Sequence, residues 1–190
     1  MEWKALVFQN AARPKAQFIM WLLIQDRLMT CDRLINWKIN VEPECVMCKQ
    51  ENETRDYLFW QCPYATQVWN KMCRWLGRQQ LGNGNWQQFL QWTIRQAKGK
   101  STYAMTFRMI FAETVYHLWL ERNRRVFEKK SRKEEQITRD IAYVVSARAT
   151  PRIRLLAFAF AKGYGVRQEV LPSRSRCGSA YAKGEVPAFA

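Results

Sequence analysis

Residues 44–69 read ECVMCKQENETRDYLFWQCPYATQVW, and the rest of the chain is understood from this stretch outward. Cys45 and Cys48 form a C-x2-C pair, and Cys62 follows beyond Tyr57. Two thiolates at that spacing sit on one tight turn with both sulfurs inward, which suits a tetrahedral ion at about 2.3 Å per bond. A third thiolate arriving from the next element closes the loop. A structural zinc site needs a fourth ligand, and its natural place between Cys48 and Cys62 is occupied by Tyr57. A phenol that ionises near pH ~10 is a poor substitute at neutral pH. Cys31, Cys73 and the single histidine, His117, are other sources of a fourth contact. For each of these a buried packing role is the preferred reading. The donor set therefore predicts weak or absent zinc at neutral pH.

The order Cys-x2-Cys, then Glu53-Thr54-Arg55-Asp56-Tyr57-Leu58-Phe59-Trp60, then Cys62-Pro63-Tyr64 and Val68-Trp69 resembles the reverse-transcriptase zinc-binding domain. That family lies at the C-terminal end of plant LINE-type (non-LTR) retrotransposon polyproteins. Pro14-Lys15, Phe18, Trp21, Leu28, Thr30, Asp32-Arg33-Leu34 and Trp37 extend the resemblance upstream. Trp119-Leu120-Glu121-Arg122-Asn123 and Phe127 extend it downstream. In the family pattern the position of Tyr57 is a His, so the chain departs from a Cys-Cys-His-Cys set at one ligand. The resemblance implies a zinc cofactor on a degenerate site, and a domain that helps a polymerase hold RNA or its DNA target.

Charge points the same way. The 190 residues hold 31 Lys and Arg against 16 Asp and Glu, a formal net charge of +15. A domain this basic expects an anionic partner, with nucleic acid first. The densest cationic run is Arg122, Arg124, Arg125, Lys129, Lys130, Arg132 and Lys133. Lys49, Arg55, Lys71 and Arg74 lie near the cysteines and are candidate contacts to a nucleic-acid backbone. Taken singly, each of these residues is more simply a solvated charge.

Six cysteines at irregular spacing, with no charged n-region and apolar h-region after Met1, predict an intracellular protein, nuclear or cytoplasmic and not secreted. The apolar runs at 18–24 and 155–161 are too short to span a bilayer. No Tyr-x-Asp-Asp pair, H-E-x-x-H, Walker loop or G-x-S-x-G is present, so neither an enzyme nor a small-molecule substrate is expected.

Without an alternating strand pattern, the fold class expected is all-α. Residues 1–77 should form a helical domain with the knuckle at 45–62, residues 78–150 a helical extension, and residues 151–190 a basic disordered tail. A first helix is expected over Pro14–Met29 with Phe18, Trp21, Leu22, Ile24 and Leu28 inward. A second should start after Thr30 and bury Leu34, Ile35 and Trp37. Further helices are expected over Tyr64–Leu76, stopped by Gly77, and over Trp86–Lys98, capped by Asn85. The longest should run from Ser101 to about Lys130 with Phe107, Ile110, Phe111, Thr114, Leu118 and Trp119 as its apolar stripe. Ser131-x-x-Glu134 reads as the capping box of a last helix to about Ala149.

Overall fold

The structure, a computed structural model, describes residues 3–8, 10–77 and 84–148. The expected tail at 151–190 and most of the expected linker at 78–85 lie outside the described residues. Among those described, helices α1 (Lys4–Val7), α2 (Pro14–Ile24), α3 (Cys31–Asn36), α4 (Pro63–Trp75), α5 (Trp86–Ala97), α6 (Thr102–Asn123) and α7 (Glu134–Arg148) make up the fold. Wide π-type turns at Tyr57–Gln61 and Arg124–Glu128 lead into α4 and out of α6. The described residues hold no strand beyond one antiparallel bridge, Glu44 to Asn52. The chain is all-α, as the sequence pattern predicts.

Helix α6 is the axis. The whole predicted stripe on α6 is buried, and Met109, Ala112, Val115 and His117 are buried as well, so the helix is covered on nearly every side. Helices α2, α5 and α7 pack along it, and α4 packs against both α6 and α7. An aromatic stack joins the two halves of the chain. Trp60 lies 4.0 Å from Phe89, and Trp69 lies 5.3 Å from Phe111, centroid to centroid. The indole N–H groups donate to Gly84 O at 2.9 Å and Phe59 O at 2.7 Å. Burying a ring while satisfying its N–H is what makes Trp tolerable at such depth. Segments 1–77 and 84–148 therefore share one core.

Several local expectations hold and several need correction. Asn85 caps α5 in a full capping box with Gln88, and Gly77 follows α4 at φ 64, the left-handed stop that glycine adopts freely. Helix α2, however, ends at Ile24 rather than Met29. Asp26 takes a left-handed φ of 53, which a short polar side chain tolerates, and the chain turns there. The buried face of α2 is Ala16, Met20 and Leu23, while Phe18 is 57% exposed. The small Ala16 lets α2 approach α6 closely, and the bulky aromatics are left on the outer side. Helix α3 begins after Thr30 as expected, yet Ile35 and Trp37 face solvent, at 44% and 52% exposure. Helix α7 starts at Glu134, without the Ser131 capping box. The backbone N–H of Arg132 is instead held by Glu121 at 2.8 Å, and Gln136 accepts from Lys133 N at 3.3 Å.

Candidate metal centre and its cationic surround

The knuckle is a small closed loop. Glu53 N donates to Pro43 O at 2.7 Å, Cys45 N to Glu51 O at 2.8 Å, and Lys49 N to Cys45 O at 2.8 Å. Lys49 sits at φ 59, which gives the tip its sharp turn. Thr54 Oγ1 then accepts from Tyr57 N at 3.1 Å and starts the π-type turn. That turn is closed by Cys62 N donating to Tyr57 O at 2.8 Å. Pro63 at the first position of α4 lacks an N–H that would otherwise go unpaired there, so the helix starts directly after Cys62.

These elements bring the three predicted sulfurs together. The Sγ atoms of Cys45, Cys48 and Cys62 all lie within 4.8 Å of one another. Cys45 Sγ–H donates to Cys62 Sγ at 3.9 Å, and both residues are fully buried. The Cys45 donation lowers the Cys62 pKa, helped by the α4 N–H groups of Ala65 and Tyr64. The same hydrogen bond, with burial, raises that of Cys45. Around an ion with bonds of about 2.3 Å, tetrahedral sulfurs would stand about 3.8 Å apart, so the spacing fits a metal. The fourth corner is different. Tyr57 Oη lies 3.1 Å from Cys48 Sγ, and burial and then the Cys48 sulfur push its ionisation well above the ordinary tyrosine range. Three donors fit a closed zinc site, whereas the fourth position holds a neutral phenol.

The other candidates for a fourth contact stand apart. Cys31 packs against Arg122 Nη2 at 3.7 Å, and burial beside Glu53 pushes its thiol up to about 11. Cys73 is buried in α4 and likewise raised to about 11 by burial. His117 Nε2 accepts from Arg13 at 3.0 Å, and its pKa falls to about 3 through burial and then the Arg13 and Arg132 charges. It is a neutral core residue.

The predicted cations divide into two sets. Arg122 is not a surface contact: its guanidinium is 5% exposed and pairs with fully buried Glu53 at 2.9 Å. Arg125 is also turned inward. It pairs with Glu121 at 2.8 Å, donates to Met47 O at 2.7 Å and lies 4.5 Å over the Tyr64 ring. Arg55 pairs with Asp26 and Asp56 and covers Trp86, and Lys71 ties α4 to Glu134 and Glu135 on α7. Arg124 is half-buried and pairs with Glu128 at 3.6 Å. Lys49, Arg74, Lys129 and Lys130 are exposed and make no ion pair among the described residues. Because Arg125 reaches the carbonyl between Cys45 and Cys48, the turn that ends at Lys129 is docked beside the knuckle tip that carries Lys49. Two cationic stretches far apart in sequence are joined by this contact.

Glu53 and Glu121, which do the joining, figure in the sequence reading only as residues of the resembling motifs, with no joining role. Glu121 is fully buried and holds Arg125, the Arg132 side chain and the Arg132 backbone. Glu53 holds Arg122 and the Cys31 N–H, the latter at 3.1 Å. A signal existed. Positions 114, 118, 121 and 125 continue the apolar stripe of α6 at helical spacing, which places Glu121 and Arg125 on the buried face.

The family model described as zinc-binding in reverse transcriptase matches residues 1–69, a span that holds all three cysteines and ends inside α4. Over that span the chain is similar to this family of zinc-binding domains, and the similarity covers about a third of the 190 residues. No curated protein matches the chain, and no solved structure does. No helix among the described residues is long and apolar enough to cross a membrane.

Proposed function

We propose that the chain is a non-catalytic accessory module that binds RNA or DNA through the cationic face beside the cysteine knuckle, as a piece of a LINE-type retroelement protein. The observation that carries this reading is the contact of Arg125 with Met47 O, which docks the segment leading to Lys129 and Lys130 on the loop that carries Lys49, and none of the three makes an ion pair among the described residues. Free ammonium groups on one face neutralise successive phosphates and release their counterions. The buried acids Glu53, Glu113 and Glu121 are each held by arginine, which supports a structural and not a proton-transferring use for them. Titrating a fluorescent single-stranded oligonucleotide at several salt concentrations, with and without a chelator, tests the reading. Affinity should fall steeply with salt and depend little on sequence, and affinity unchanged between low and moderate salt would refute it.

A second reading has its own observation. Ile35, Trp37 and Ile39 are 44%, 52% and 47% exposed around a tight turn, where Lys38 N donates to Ile35 O at 2.8 Å. Large apolar side chains held outward suit a helical protein-interaction module. Trp37→Ser that abolishes association with a protein partner while sparing oligonucleotide binding would favour this alternative.

A further inference from the structure

We propose that Cys45, Cys48 and Cys62 form a three-sulfur site for a thiophilic ion of low coordination number, of the copper(I) class, with Tyr57 serving as a hydrogen-bond donor to Cys48 and not as a ligand. Three cysteine sulfurs within 4.8 Å, once deprotonated by the ion, are already the whole donor set for it. With bonds of about 2.3 Å, an ion lying in the plane of three sulfurs holds them about 4.0 Å apart. The Cys45 to Cys62 separation of 3.9 Å matches this, and the other two separations are within 4.8 Å.

The phenol lies against the partly exposed Cys48. At 3.1 Å from Cys48 Sγ, the Tyr57 hydroxyl is placed to donate its proton to that sulfur, a contact that orients a thiolate and tunes its basicity. A closed zinc site takes four donors, whereas the group of Cys, His and carboxylate donors that meets here among the described residues holds three. A copper(I) ion is satisfied by soft thiolates alone. Cys45 and Cys62 have no solvent exposure, so bulk water does not reach their sulfurs. The inference rests on the three sulfurs and the Tyr57 contact and not on the cationic residues, so failure of nucleic-acid binding leaves it standing, and its own failure leaves nucleic-acid binding untouched.

The test uses the full chain, reduced and free of oxygen, with copper(I) supplied as its bathocuproine disulfonate complex so that stray thiols do not compete. X-ray absorption should show three sulfurs at about 2.3 Å and no oxygen. Tyr57→Phe should keep that three-sulfur shell while weakening affinity by about 10–100-fold, as the loss of an outer hydrogen bond does. Cys48→Ser should lose the ion. If Cys48→Ser fails to fold by far-ultraviolet circular dichroism, the Tyr57→Phe spectrum still decides the matter. Failure of the wild-type chain to take copper(I) from the chelator overturns the proposal. So does an oxygen ligand that disappears in Tyr57→Phe, or zinc held by four protein donors.

Discussion

Arg122 on α6 and Glu53 at the foot of the knuckle form an ion pair of 2.9 Å in which neither side chain is more than 5% exposed. Glu53 also accepts the Cys31 N–H at 3.1 Å, so one carboxylate ties α3, the knuckle and the central helix together. Removing one partner strands the other charge in a site that water does not reach. Arg122→Met should therefore destabilise the fold by about 3–5 kcal/mol. The double variant Arg122→Met with Glu53→Gln should recover much of that loss. Urea midpoints at unchanged m-value measure both, and a single variant as stable as wild type would show that the pair is not structural.

At position 57, zinc affinity is set by the fourth donor. Replacing the phenol with a neutral imidazole completes a Cys-Cys-His-Cys set on the same turn, whose sulfurs are already gathered. Tyr57→His should raise zinc affinity more than about tenfold, or about 1.4 kcal/mol, in competition with a chromophoric chelator at neutral pH. Unchanged affinity would mean that the π-type turn does not aim residue 57 at the metal.

His117 makes stability pH-dependent in a defined window. Burial holds its folded pKa near 3, whereas the unfolded chain ionises near the ordinary 6.5. Between those values the unfolded state binds the extra proton, so stability is complete above the unfolded pKa and falls as pH drops towards the folded one. The slope is at most about 1.4 kcal/mol per pH unit from this residue. The groups facing it are Arg13, Glu113 and Arg132. Thermal melts at pH 7 and pH 5 should differ in wild type and converge in His117→Gln.

The outline of the fold is legible in the sequence because it depends on local chemistry. Proline opens α2 and α4, Asn85 and Gly77 punctuate helices, and a 3.6-residue stripe marks α6. The sulfur cluster is legible because its ligands lie on one continuous stretch. The inward arginines were misread because charge alone does not reveal whether a carboxylate waits inside. Glu53 and Arg122 are distant in sequence, and only the packing of the knuckle on α6 makes them partners. The faces of α2 and α3 were misread for a related reason. An approximate 3.6-residue stripe of large apolar residues suggested burial of Phe18 and its neighbours, whereas close approach to α6 selected Ala16, Met20 and Leu23.

The central claim is that nucleic acid is held at the knuckle end of α6 and not by net charge spread over the molecule. Helix α6 spans 22 residues, so its ends lie about 30 Å apart. Exposed cations are available at both: Lys49, Lys129 and Lys130 at one, and Arg95, Lys98 and Lys100 by the other. Two triple alanine variants remove the same charge from opposite ends. The slope of log affinity against log salt for a single-stranded oligonucleotide should fall by about 2 for the knuckle triple and change little for the other. Equal losses from both triples would contradict the account.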